Sequence, residues 1–225
     1  RRFRVTAQQK NLTDWGILGA VIGKKSGSYW EVPVVEGLDN IPTSDEIKHF
    51  GAAMASYGST PLFHLVGITP EAQNLVDCGG DKCRAETITA DDIEQLGGGF
   101  SGRGDTLDVV VFAAPQLSIV EMQQLAALCR GATFKVPVIV CTAPQVIGDA
   151  RRMGFSAQIE AAGGTILEGT CFYNQNAREI GEANGWVRLL SNSAKIVNIL
   201  GGYGYKPALA SMESCVASAI EGVIQ

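Results

Sequence analysis

The sequence predicts an α/β protein, a three-layer parallel or mixed sheet with helices on both faces. Three observations carry that expectation. Runs such as Val109-Val110-Val111-Phe112-Ala113 and Val138-Ile139-Val140-Cys141 are continuously apolar, as strands buried on both faces must be. Between such runs lie segments of helical length that open on capping residues. Finally, the two kinds of segment alternate along the chain.

Taken in order, residues 3–7 read as a strand. Thr43-Ser44-Asp45-Glu46 has capping-box spacing, so hydroxyl and carboxylate each serve the other's backbone N–H, and a helix runs on to Tyr57. His49 on that helix is expected to be exposed. Residues 62–66 read as a strand, and Thr69-Pro70-Glu71 predicts a short helix with proline at its first position. Residues 77–84 form a polar loop, and Thr89 caps a helix stopped by Gly97-Gly98-Gly99. Residues 108–114 are a strand. Ser118-Ile119-Val120-Glu121 is a second capping box, with a helix to Arg130. Residues 136–142 are the next strand, and Pro144 opens the next helix. Strands follow at 165–167 and 186–190, a helix begins near Ala194, and residues 212–221 form the last helix. A compact α/β unit is expected over residues 105–225. Residues 1–104 are expected to be part of another α/β lobe, completed by chain that precedes Arg1. No internal repeat or low-complexity tract is visible.

Composition sets bounds. Hydrophobic residues make up 46% of the chain and charged residues 18%, a balance that builds a buried core. A net charge of −5, with no Lys/Arg run longer than two, argues against a nucleic-acid surface. No apolar stretch approaches the roughly 20 residues of a membrane span. Of the six cysteines, Cys129, Cys141 and Cys215 lie in apolar elements and read as small buried hydrophobes. A core this large needs no disulfide framework, which points to a reducing cytoplasm.

Candidate chemistry concentrates near the C-terminus. Ser191-Asn192-Ser193-Ala194-Lys195 falls where a strand gives way to a helix, and such junctions present free backbone N–H groups to anions. Two hydroxyls, an amide and a lysine added there suit a carboxylate or phosphate. Plain helix capping by Ser or Asn is the competing reading. In an open α/β sheet, ligands bind beyond the carboxyl ends of strands. Ala113-Ala114-Pro115-Gln116, Thr142-Ala143-Pro144, Gly169-Thr170-Cys171 and Asn192-Ser193-Ala194-Lys195 all fall at such ends. Cys171 there is either an iron-binding thiolate or a packed loop cysteine. Cys78 and Cys83, with four residues between them in a glycine-rich loop, lack a second pair or a histidine and read as surface. His64, among Phe63, Leu65 and Val66, reads first as a core histidine. The glycines from Gly97 to Gly104 lack the strand and Lys-Ser/Thr of a phosphate loop.

Gly169-Thr170-Cys171-Phe172, Asn192-Ser193-Ala194-Lys195 and Glu213-Ser214-Cys215-Val216 occur in that order, after Gly51-Ala52-Ala53-Met54 and Phe63-His64-Leu65-Val66-Gly67-Ile68-Thr69-Pro70-Glu71. Together they resemble the aconitase X catalytic domain, from about Leu18 to Ala219. The resemblance implies an aconitase-like fold and a hydro-lyase that dehydrates a small hydroxy acid, with an iron–sulfur cluster or mononuclear iron as Lewis acid. Family substrates include cis-3-hydroxy-L-proline and mevalonate 5-phosphate. It implies Cys171 as a metal ligand, and Thr170, Asn192, Ser193, Lys195 and His64 around the substrate. The catalytic base is not identified. Implied partners are a small swivelling domain or subunit and an N-terminal part of the catalytic domain bearing a further cysteine. Ala114 and Gln116 depart from the family, where many relatives carry Cys or Thr and His. That departure keeps open a diverged, non-catalytic paralogue or subunit that binds an acidic metabolite.

Overall fold

The computed structural model describes residues 1–225, which divide into two compact units, Arg1–Gly99 and Phe100–Gln225.

The first unit contains β1 (Arg2–Val5), α1 (Leu12–Ser26), β2 (Val34–Glu36), α2 (Ser44–Gly58), β3 (His64–Leu65), β4 (Ala85–Ile88) and α3 (Ala90–Gly98). Its four strands are all parallel, in the order β3-β2-β1-β4. Register places Phe3, Val35, Leu65 and Glu86 on one face, since partners in a parallel ladder point the same way. That face carries the helices: Lys25 of α1 pairs with Glu86 at 3.0 Å. Phe3, Val35 and Leu65 are fully buried beneath them. The opposite face has Arg2, Val34 and Ala85, and the β3–β4 connection crosses it, bringing Gly80 against Val34.

Glycine lets α1 and α2 approach closely. A Cβ on Gly19 would stand 2.1 Å from the Phe50 carbonyl oxygen, and one on Gly23 2.4 Å from that of Met54. The Gly51-Ala52-Ala53-Met54 segment therefore has a packing reason for its small residues. The predicted capping box at Thr43 forms, and the predicted cap at Thr89 is also a box, closed by Asp92. His49, expected to be exposed, is 3% exposed. It lies one turn before Ala53 on the buried stripe of α2, and helical period outweighs its polarity. The helix expected at Thr69 is instead a closed turn, in which the Gly67 N–H donates to the Ala72 carbonyl at 2.8 Å.

The second unit contains β5 (Val109–Leu117), α4 (Ile119–Cys129), β6 (Val138–Thr142), α5 (Pro144–Arg152), α6 (Phe155–Ala161), β7 (Gly164–Glu168), α7 (Ala177–Asn184), β8 (Arg188–Ser191), α8 (Ala194–Leu200), β9 (Lys206–Leu209) and α9 (Met212–Glu221). Five parallel strands run β7-β6-β5-β8-β9. Alternation along β5 separates two cores. Val110 and Phe112 pack with Met122, Leu125, Cys215 and Val216 of α4 and α9. Val109, Val111 and Ala113 pack with Ala177, Ile196 and Leu200 of α7 and α8. Helices on both faces are what the continuous apolar runs require. Two parallel sheets flanked by helices thus agree with the predicted fold class.

Candidate functional site

The chain crosses the second sheet outward from β5 through β6 to β7, then returns to lay β8 on the other side of β5. Strand order reverses between β5 and β8, the point at which ligands bind beyond the strand ends in an open α/β sheet. The residues beyond β5 and β8 line that point.

Beyond β8, the Ser191 hydroxyl donates to the Val111 carbonyl at 2.6 Å, tying the two strand ends together. The Ser193 hydroxyl donates to the Ala114 carbonyl at 2.7 Å and accepts from the Ile196 N–H, capping α8. Asn192 and Ser193 are 2% and 1% exposed. Their turn is a buried brace between β5 and β8, and Ser193's hydroxyl hydrogen is committed to Ala114. Lys195 follows in the first turn of α8, half-buried.

Within the carboxyl-terminal half of β5, the ladder to β6 slips between Phe112 and Leu117. Ala114 sits there at φ 44°, and the Ala114–Pro115 peptide is cis. Left-handed backbone disfavours a residue with a Cβ, so this conformation is held by its surroundings. Among those surroundings is the Ser193 bond to the Ala114 carbonyl.

Beyond β7, Gly169 takes φ 69°, and its N–H donates to the Thr142 carbonyl at 2.9 Å. Thr170 and Cys171 follow, half-buried. The Thr170 carbonyl accepts from Gln116 Nε2 at 2.8 Å, and its hydroxyl oxygen accepts from Gln175 Nε2 at 2.5 Å. Burial raises the Cys171 thiol above its ordinary value, against the pull of the Tyr173, Ala114 and Phe172 N–H groups and of the Lys195 ammonium. The Lys195 charge thus acts on the Cys171 sulfur, and burial outweighs it. Cys141, at the end of β6, feels the Cys171 charge as well. Burial, its largest influence, pushes its thiol up to about 12.

The structure therefore assembles Thr170, Cys171, Asn192, Ser193 and Lys195 in the second unit. His64 belongs to the first unit, where it is half-buried on the edge strand β3 and pairs with Glu71 at 2.8 Å. Glu71's own backbone N–H, and then His64, hold that carboxyl below its usual range. His64 is an edge residue with an acidic partner, not a core histidine. Cys78 and Cys83 turn their sulfurs toward carbonyls of their own loop. Two features leave little trace in the sequence: the Gln116 bond to Thr170, which spans 54 residues, and the backbone N–H groups at Cys171. Only the position of Gln116 just beyond an apolar strand hints at its place.

No group of three or more His, Cys, Asp or Glu side chains is arranged to hold a metal ion. Cys171 offers a half-buried sulfur beyond a strand end, the residue type that fills one ligand position of an iron site; burial opposes its thiolate, and the backbone donors and Lys195 offset only part of that. The donor set within these 225 residues does not complete such a site.

A doubly wound parallel sheet with a thiol beyond β7 and a lysine beyond β8 defines an open α/β class, in which ligands bind outside the carboxyl ends of the strands. Within that class the chain belongs to the aconitase X family: its second-domain model matches residues 1–96 and its third-domain model residues 107–221. A cis-3-hydroxy-L-proline dehydratase of Hypocrea jecorina is 32% identical over 214 residues, which are 92% of this chain and 35% of that protein. A phosphomevalonate dehydratase large subunit of Thermococcus kodakarensis is 28% identical over 218 residues, 96% of this chain and 53% of that one. The crystal structure of Thermococcus kodakaraensis aconitase X, holo-form, has the same fold, with a TM-score of 0.83 at 24% identity over 97% of this chain and 54% of that chain. The chain thus spans about a third to a half of the length of the relatives it matches.

Proposed function

We propose that this chain forms the body of a hydro-lyase that removes water from a small hydroxy acid. The observation that carries the reading is that the loops bearing Thr170-Cys171 and Ser193-Lys195 both hydrogen-bond to the Ala114–Gln116 tail of β5, at the carboxyl end of the second sheet. Its relatives are named dehydratases. Dehydration needs the acid's carboxylate held, its α-proton removed and its hydroxide made able to leave. Lys195 holds the carboxylate or phosphate by a charge-assisted hydrogen bond, and the Thr170 hydroxyl, whose oxygen is fixed by Gln175, donates a second. Ser191 and Ser193 keep that corner rigid by bracing β8 against β5, with Asn192 buried between them. Cys171 is one metal ligand. Bound iron or an iron–sulfur cluster would supply the Lewis acid for the leaving hydroxide. The remaining ligands and the base come from outside these residues. The family's first domain and a small swivelling domain or subunit are their sources, a view supported by relatives named as large subunits. Six free thiols fit a reducing cytoplasm, and no helix is long and apolar enough to cross a membrane.

Iron content tests the reading. In the complete enzyme, Cys171→Ser should lose most bound iron and Cys129→Ala should keep it; unchanged iron in Cys171→Ser would sink the assignment. The 225-residue chain alone should not turn over cis-3-hydroxy-L-proline or mevalonate 5-phosphate with iron supplied. Turnover by that chain would show that it already carries the base and the missing ligands. A second reading, an acid-binding paralogue without turnover, is favoured by Ala114 and Gln116. It predicts substrate binding without turnover in the complete, iron-loaded protein.

A further inference from the structure

We infer that Gln116 is a positioning residue for Cys171, acting through the Thr170 carbonyl. The inference deepens the reading of Cys171 as a site thiol and rests on it. The Thr170 carbonyl and the Cys171 N–H belong to one planar peptide unit. A hydrogen bond to that carbonyl therefore fixes the plane from which the Cys171 side chain departs. Gln116 Nε2 makes this bond at 2.8 Å.

The clamp is built at both ends. On its own side, Gln116 lies between left-handed Ala114 and Leu117, whose carbonyl is held by the Thr142 hydroxyl at 2.8 Å. On the far side, Gly169 is tied to Thr142, and the Thr170 hydroxyl oxygen to Gln175. The tail of β5 thus meets the cysteine loop twice, with the Ala114 N–H at the sulfur and the Gln116 amide at the preceding carbonyl. Stability alone does not call for the second contact. Thr170 is only half-buried, and water satisfies such a carbonyl nearly as well. What water does not supply is a fixed direction, and a side chain that must present its sulfur at one angle needs one.

The test reads the geometry of Cys171 without turnover. In the full chain, reduced and free of iron, iodoacetamide alkylation of Cys171 is followed by peptide mass spectrometry, with the half-buried Cys78 and Cys83 as internal references. Gln116→Ala and Gln116→Glu, the latter of equal shape but without the donor, should shift the Cys171 rate about fivefold, the factor governed by a hydrogen bond of about 1 kcal/mol. Gln116→His, which keeps an N–H at the ε position, should restore the wild-type rate. An unchanged Cys171 rate overturns the proposal. So does an equal change at Cys78 and Cys83, which would signal general loosening, or a change that Gln116→His does not reverse. Failure of the functional reading appears elsewhere, as unchanged iron in Cys171→Ser of the complete enzyme.

Discussion

The two units lay their first four strands in the same relative order. The first runs β3-β2-β1-β4, and the second runs β7-β6-β5-β8 before adding β9. Both therefore reverse direction beside their first strand. What differs is what fills the reversal. In the first unit, β1 leads through exposed residues such as Lys10 to α1, capped by Asn11, and the β3–β4 crossover has a single short 3₁₀ turn over Gly80–Lys82. In the second, the crossover carries Cys171 and α7, and β8 turns at once into the buried Ser191–Ser193 brace. The shared topology supplies a crevice, while the side chains and the burial around it decide whether that crevice has chemistry.

Several changes break or sharpen that contrast. The largest effect should come from the close, glycine-lined crossing of α1 and α2 in the first unit. Gly23→Val forces a side chain into the α2 backbone and should cost at the upper end of the about 1–3 kcal/mol typical of overpacked cores. Gly201→Ala in the second unit, where a Cβ meets open space, should cost far less. Urea titration of both variants checks the pair. If the two lose equal stability, the close helix crossing is not what holds the first unit.

Lys195→Met should fold normally and lose roughly 1.5–3 kcal/mol of transition-state binding, the scale of a charge-assisted hydrogen bond. Lys10→Met, in the exposed loop beyond β1 of the first unit, should leave kcat/KM of the complete enzyme unchanged. Equal losses at both positions would erase the distinction drawn between the two crevices.

Tyr205→Phe removes the hydroxyl that donates to the Ala177 carbonyl at 2.7 Å beneath the cysteine-bearing crossover. About 1 kcal/mol of stability should be lost, seen as a lower denaturation midpoint. The smallest effect concerns acid. The Thr89 backbone N–H is the largest influence holding the Asp92 carboxyl below its usual value. A depressed folded pKa gives stability that is present above the unfolded value, about 3.9, and is lost as pH falls through the folded one. Asp92→Asn should therefore cost roughly 0.5–1 kcal/mol near neutrality and flatten the acid limb of a stability–pH curve. An unaltered acid limb would remove the capping box from the account.

Legibility in the sequence followed the length scale of each interaction. The capping boxes at Thr43 and Ser118 and the cap at Thr89 are readable because both partners lie within four residues, and all three form. The strands within 108–114 and 136–142 are readable because burial on both faces leaves an unbroken apolar run. In contrast, α1 carries no readable signal. Gly16, Gly19 and Gly23 lower its helix propensity, and burial on nearly every side removes the polar face that would mark its period. Short β2 and β4, and β9 with Pro207, fall below what periodicity resolves.

The same division holds at the site. By itself the sequence determined the α/β class, the strand-end location of Thr170, Cys171 and Lys195, and the capping role open to Ser193, because each depends on local pattern. Only the tertiary structure decided that Ser193 caps α8 while bracing Ala114, that His49 is buried, and that Gln116 reaches Thr170. Those contacts join residues far apart in the chain or depend on which face of a helix another element covers. Both are settled when the strand order reverses and the helices pack, and neither is written in any short stretch of residues.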